Sequence, residues 1–348
     1  MSGRVLSRRF VGREAELARV ADALATAAGG AATTVIVSGS AGMGVSRFID
    51  EALNRAAATA ESPLVLRGRA YGPADPPWAS VVAALEPVLV TRPEAELVSL
   101  LRRDAGPILR ELPALAGLAE GVVGSRSSAL ADPERRQPRA LEALLRWLGR
   151  LSGERPVVLA LEDLHVADAA TRAFATFVAR IAREERIALL LSYQPDRLTR
   201  EHPLRENLAV IGAGLRPPVR VELGPFARRE IAGLIEGIEG ERPSASIVVL
   251  VAERSGGSPL VVEELVAARR ELRNATLTGT FADLVAARLT RRSPECRRLL
   301  RLLAPAERPM TTAELAVGRQ RSRRAPRAAS RLARPRSRGG APTCSTAT

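Results

Sequence analysis

The stretch from Thr34 to Leu53 constrains this chain more than any other. A β-branched run, Val35-Ile36-Val37, leads into Ser38-Gly39-Ser40-Ala41-Gly42-Met43-Gly44-Val45-Ser46-Arg47, and helical spacing follows through Phe48, Ile49, Ala52 and Leu53. A buried strand, a glycine-rich turn and a helix start together favour an anion. Glycines let successive backbone N–H groups turn toward one point. The opening helix adds its unpaired N–H groups and its positive dipole end. Against the phosphate-binding template G-x-x-x-x-G-K-[ST], Gly39, Gly44 and Ser46 match, and Val45 stands where the lysine belongs. The backbone cradle survives that change. One cationic contact to the β/γ-phosphates is lost, about 1.5–3 kcal/mol for a charge-assisted hydrogen bond. The Ser46 hydroxyl is placed to reach Mg2+. Arg47, one position further, is expected to point along the helix rather than into the loop.

A second stretch supplies acids. Pro156-Val157-Val158-Leu159-Ala160-Leu161-Glu162-Asp163 is an apolar run ending in two carboxylates, and Leu164-His165-Val166-Ala167-Asp168 follows. Such a run predicts a buried parallel strand delivering carboxylates at its C-terminal end, the edge where open α/β sheets bind ligands. One carboxylate can hold Mg2+, and its neighbour can orient or deprotonate an attacking water.

Other strand candidates are Pro63 to Leu66, Ile187 to Leu191 and Val219 to Leu223, separated by helical spacing. Strands alternating with helices predict βαβ units and a mostly parallel sheet. Leu17, Val20, Ala21 and Leu24 mark a first helix. Arg67 to Trp78 reads as a Gly/Pro loop. A helical insertion follows through Val81, Leu85 and Val88, then Leu97 to Leu112, then Leu141 to Leu151, with an exposed polar stretch near Ser125 to Pro138. From Ala227 the pattern is helical only: Ile231, Leu234 and Ile235; Ile247 to Ala252; Leu260 to Arg269; Phe281 to Leu289; Cys296 to Leu303. The expected architecture is therefore α/β: a P-loop NTPase parallel sheet flanked by helices (1–224), a small helical lid with the start of a following domain (225–315), and a disordered basic tail (316–348).

Charge decides how the tail weighs on function. Nine arginines and no acid fall in 316–348, so of the net +14 only +5 belongs to the body. That distribution weakens a nucleic-acid reading of the body and leaves weak electrostatic DNA contact to the tail. Every basic residue is arginine, and the sequence has no lysine. Cys296 and Cys344 form neither a metal pattern nor a disulfide framework. No apolar run approaches a membrane span and no secretory h-region opens the chain, so a cytoplasmic protein without membrane association is expected. His165 and His202 are too isolated for metal ligands and are expected to hydrogen-bond loops.

In order along the chain, these motifs resemble the STAND-type ATPase domain of large LuxR-family bacterial transcriptional regulators, related to AAA ATPases. Phe10-Val11-Gly12-Arg13-Glu14 with Glu16-Leu17 is similar to the family's opening motif, Gly39 to Arg47 to its Walker A loop, and Leu161 to Asp168 to its Walker B motif. Leu191 to Pro195 resembles the next strand, and Ser255 to Glu264 the lid motif whose proline lies against the nucleotide base. The resemblance implies ATP or ADP with Mg2+. Gly39, Ser40, Ala41, Gly42, Met43, Gly44, Val45, Ser46, Arg47, Gln194 and Pro259 would surround the nucleotide. Ser46 and Glu162 would hold the metal, with Glu162 and Asp163 as the catalytic acids. It also implies protein partners or self-association, and DNA binding only through a separate domain. The departures are Val45 for the Walker lysine, Gln194 for the arginine that senses the γ-phosphate, Val166 for tryptophan and Ser258 for asparagine. Two phosphate-directed cations are thus replaced, which implies a nucleotide switch with weak or absent hydrolysis. The alternatives are a pseudo-ATPase scaffold and a remnant that binds no nucleotide.

Overall fold

The computed structural model describes residues 7, 9–72, 75–118, 135–271, 286, 289–290 and 293–304. The chain divides into two units, Met1–Val285 and Ala286–Thr348.

The first unit is built on a five-stranded sheet of β1 (Thr33–Ser38), β2 (Leu64–Arg69), β3 (Val157–Glu162), β4 (Ile187–Tyr193) and β5 (Val219–Glu222). The strands pair in the order β2-β3-β4-β1-β5, all parallel. β3 is buried along its whole length and β4 at all but its last residue, as continuous apolar runs covered on both faces should be. Alternation along the strands splits the core. Val35, Val37, Val158, Ala160 and Leu190 meet α1 (Glu14–Ala28) and α2 (Val45–Ala57). Ile36, Leu159, Leu161, Leu189 and Leu191 meet α3 (Ala79–Thr91), α6 (Arg136–Glu154) and α7 (Ala169–Ile181) on the other face. α1 buries Leu17, Val20, Ala23 and Ala27, while Ala21, expected on the apolar stripe, is exposed.

β2 is longer than its sequence suggests. Arg67-Gly68-Arg69 reads as the start of a loop, yet these residues pair with Ala160, Leu161 and Glu162. Gly68 is required there, because a Cβ would lie 1.7 Å from the Ser80 carbonyl oxygen. The start of α3 thus rests on the β2 backbone. The period-2 rule places Arg67 and Arg69 with Val65 on the α1/α2 face, the side that Val158, Ala160 and Glu162 of β3 share.

The insertion also departs from expectation. Leu97 to Leu112 is two helices, α4 (Glu94–Leu101) and α5 (Ala105–Glu111), separated by a 3-10 turn with Arg102 at φ 48°. The break buries Asp104, whose carboxylate accepts hydrogen bonds from Arg146 (2.8 Å) and Arg150 (2.7 Å) of α6. Burial works against its charge, but the two guanidinium groups overcome that and hold the carboxyl below its usual range. Of the exposed stretch near Ser125 to Pro138, residues 125–134 lie outside the described residues, and 136–138 open α6.

After α8 (Leu204–Gly212) and β5 come α9 (Arg228–Glu239), α10 (Ala245–Ser255) and α11 (Pro259–Glu271). They share a core of Ile231, Leu234, Ile235, Val251, Val262 and Leu265. Most of the expected helix at Phe281 to Leu289, and the whole Arg-rich tail, lie outside the described residues. In the second unit α12 (Pro294–Leu303) is capped by Ser293, whose Oγ accepts from the Cys296 N–H at 3.2 Å. No helix among the described residues is long and apolar enough to cross a membrane.

Candidate nucleotide site

The glycine loop connects β1 to α2 at the C-terminal edge of the sheet. Gly42 and Gly44 both take φ 85°, a left-handed conformation that costs a side-chain-bearing residue about 1–2 kcal/mol. Gly44 is the N-cap of α2 and supplies no side-chain cap, so the first-turn N–H groups point toward whatever occupies the loop. The loop opens into a cavity of about 670 Å3, within the range of small-molecule sites. Every residue from Gly39 to Arg47 lines it, and so do Asp163, Gln194 and Pro259. Residues far apart in the chain thus converge on one cavity.

Val45 does not reach across the loop. It packs with the α1/α2 core, and a Cβ on Gly39 would lie 3.0 Å from its Cγ2. Arg47 lines the cavity, but its guanidinium is engaged elsewhere. Nη1 pairs with Glu263 of α11 at 2.8 Å, and Nη2 donates to the carbonyls of Ser7 and of Arg9, the latter at 3.1 Å. It ties the P-loop helix to the N-terminal segment and to the lid.

The lid is fastened to the loop itself. The Gly42 carbonyl accepts from Ser258 Oγ (3.3 Å) and from the Leu260 N–H (3.2 Å). A Cβ on Gly42 would lie 2.8 Å from Ser258 Oγ, so glycine is needed here for space as well as for conformation. Pro259 sits at the start of α11, between these two contacts. The opening motif runs along the same seam: buried Arg13 donates to the Gly224 carbonyl and stacks 4.9 Å from the Phe226 ring centroid.

The two acids occupy different settings. Asp163 lies just past β3 with φ 58°, a turn that Asp tolerates better than most residues. Ser192 holds that turn by accepting the Asp163 N–H at 3.0 Å. The Asp163 carboxylate faces the cavity and pairs with Arg69 Nε at 2.7 Å. Glu162 is 1 % exposed and is not among the described lining residues. Its Oε1 accepts from Arg67 Nε at 2.5 Å, and Arg67 Nη1 reaches Asp50 of α2 at 2.5 Å. Glu162 Oε2 has no hydrogen-bond partner among the described residues. A buried carboxylate oxygen left in that state suits a cation or a metal-bound water. Mg2+ takes one or two protein oxygens and fills its shell with waters and phosphates; the Ser46 hydroxyl at the cavity wall and the orphaned Glu162 Oε2 behind it are oxygens of the kind it takes.

The histidines bond loops, as expected. His165 Nδ1 lies 3.4 Å from the Gln194 N–H, and His202 Nε2 lies 2.9 Å from the His165 carbonyl. Burial pushes the His165 imidazole below its usual value, which keeps Nδ1 able to accept from Gln194 at neutral pH.

The family comparison accords with this geometry: the AAA ATPase domain matches residues 9–192, just over half of the chain, from the opening motif through β4. The chain belongs to the AAA ATPase domain family. The chain is also 27% identical over 273 residues to uncharacterized protein R02095 of Rhizobium meliloti strain 1021. That match covers 74% of this chain and 24% of the relative, so the chain spans about a quarter of the relative's length. Among solved structures it is similar to the Walker-type ATPase PABY2304 of Pyrococcus abyssi, at 14% identity and TM-score 0.46, covering 93% of this chain and 80% of that one. It is also similar to the STAND protein with a tetratricopeptide repeat sensor, PH0952, of Pyrococcus horikoshii. There the identity is 12% and the TM-score 0.47, covering 90% of this chain and 38% of that one.

This AAA ATPase domain carries two site features that its sequence did not announce. Arg67 and Arg69 stand on the edge strand next to the acids, hidden by the loop-like reading of Arg67-Gly68-Arg69. Two arginines at period-2 spacing behind an apolar strand start were the available signal.

Proposed function

We propose that this chain is a nucleotide-binding regulatory module, a P-loop switch that takes ATP or ADP and hydrolyses ATP weakly or not at all. The observation that carries this is convergence on one cavity. The loop with left-handed Gly42 and Gly44, the Asp163 carboxylate, Gln194 at the end of β4 and Pro259 of the lid all line it. The lid bonds directly to the loop carbonyl of Gly42, so an occupant of the loop is positioned to alter how the lid sits, the two-state element a switch needs.

Weak turnover follows from the cations. Val45 is packed into the core and Gln194 is neutral, while Arg47 is held by Glu263 and backbone carbonyls. The transferring phosphoryl group would therefore lack the loop cation that normally offsets its charge. Ser46 and Glu162 would hold Mg2+, which supplies charge neutralisation on the phosphates when bound. Asp163 would orient the attacking water once released from Arg69. A role in LuxR-type transcriptional regulation, with protein partners or self-association, rests on the motif resemblance; DNA contact would fall to a separate domain or to the basic tail.

A scaffold without turnover is the second reading, favoured by the pairing of both acids with arginines. Binding of a fluorescent ADP analogue, measured beside multiple-turnover ATP hydrolysis, separates the readings. Saturable binding with little hydrolysis is expected. Rapid turnover contradicts weak hydrolysis, and absence of binding contradicts the switch.

A further inference from the structure

The acids at the cavity wall and just behind it are already neutralised by the chain. Glu162 is almost fully buried, and an unpaired carboxylate there would be strongly disfavoured. In a site that relies on a metal, Mg2+ offsets such acids and lets phosphates approach them. Here each acid has its own guanidinium, delivered from one strand. β2 pairs with β3 so that Arg67 stands opposite Ala160 and Arg69 opposite Glu162. From these positions Arg67 Nε reaches Glu162 at 2.5 Å and Arg69 Nε reaches Asp163 at 2.7 Å. Arg67 further reaches Asp50 on the helix that the glycine loop opens, so a third carboxylate beside the cavity is offset as well. Each guanidinium is a permanent charge at any accessible pH, and Gly68 between them is locked in place by α3.

We propose that Arg67 and Arg69 are resident counter-cations of the acid end, so that nucleotide binds this chain without needing a divalent cation. The proposal rests on the nucleotide-binding reading above. It assigns to two arginines of the edge strand the electrostatic task that Mg2+ performs for affinity. Mg2+ can still use Ser46 and the free Oε2 of Glu162, but affinity does not wait on it. Arg67 acts through Glu162 and is a positioning residue. Arg69 lines the cavity and bonds Asp163 through Nε alone; its Nη groups make no hydrogen bond among the described residues.

The test is ADP affinity of the full chain by calorimetry, in excess Mg2+ and in excess EDTA. For the wild type the two values should agree within about threefold, less than one charge-assisted contact contributes. In Arg67→Gln the buried Glu162 loses its partner, and affinity should become Mg2+-dependent by about tenfold or more. The double variant Arg67→Gln with Glu162→Gln removes the buried pair, leaves only the half-exposed Asp50 without its partner, and should regain most of the indifference to EDTA. A wild type that loses more than about tenfold in affinity in EDTA overturns the proposal while leaving nucleotide binding intact. A wild type that binds ADP in neither buffer overturns both this proposal and the reading beneath it. The wild-type comparison decides even where Arg67→Gln proves unstable, which a melting curve reports.

Discussion

Arg69 Nε lies 2.7 Å from Asp163 Oδ2, and both residues line the cavity that the glycine loop opens into. Under the proposed function Asp163 is the carboxylate that would orient a water, and it is engaged as an ion-pair partner. Together with Val45, this would give hydrolysis two separate obstacles, a missing cation in the loop and an occupied base.

These obstacles can be removed one at a time. Val45→Lys restores a cation to the loop and should raise ATP affinity by about one to two decades, the worth of a charge-assisted contact of about 1.5–3 kcal/mol. Turnover should rise modestly in that variant, and further in Val45→Lys with Arg69→Ala, where Asp163 is released. Steady-state ATPase assays on the wild type and these two variants check this; equal turnover in all three would contradict it.

Gly42→Ala tests the seam between loop and lid. The new Cβ meets a left-handed backbone and the Ser258 hydroxyl at 2.8 Å. The backbone conformation alone should cost about 1–2 kcal/mol, read as a lower urea midpoint. Gly44→Ala has the same φ but nothing within 4 Å of its Cβ, and should lose less.

Gly68→Ala should be more damaging than either. Its Cβ would fall 1.7 Å from the Ser80 carbonyl oxygen, a backbone atom that cannot turn away. Moving α3 off β2 should cost at least the roughly 1–3 kcal/mol typical of overpacking. Urea denaturation measures it, and loss of Arg67 and Arg69 placement should weaken nucleotide binding in parallel.

Acid should expose His165. Its folded pKa is lowered, chiefly by burial, so the unfolded chain takes up the proton first as pH falls. The contribution is complete above the unfolded value of about 6.5 and is lost as pH falls from there through the folded pKa. Protonated Nδ1 also ceases to accept from the Gln194 N–H. Stability curves of wild type and His165→Asn across that window should converge at the acid side. Asp104 has the same sign at lower pH. Its carboxyl is held down by Arg146 and Arg150 against burial, so its contribution is complete above the unfolded value of about 3.9 and is lost as pH falls from there through its depressed folded pKa.

The sequence and the structure agree where chemistry and local periodicity coincide. Val35 to Val37, Val157 to Leu161 and Ile187 to Leu191 are continuous apolar runs, and each is a central parallel strand. The glycine loop was legible because left-handed φ demands glycine at Gly42 and Gly44, and close approach demands it at Gly42 as well. The period-2 spacing of Arg67 and Arg69 hinted at a strand, but their pairing with Glu162 and Asp163 depends on the register of β2 against β3, which no local pattern carries. The break between α4 and α5 escaped for a similar reason: Asp104 is stabilised inside the fold by Arg146 and Arg150, more than forty residues away. Arg47 reaches Glu263 of α11 and the Ser7 and Arg9 carbonyls, partners distant in the chain that its local sequence does not name.

The central claim is that the P-loop cavity binds a nucleotide despite Val45. Its most direct test is a calorimetric titration of ADP into the wild-type chain. One-to-one saturable binding with a micromolar Kd, competed by ATP, is the predicted result. A flat titration at millimolar ADP from protein with a cooperative melting curve would contradict the account.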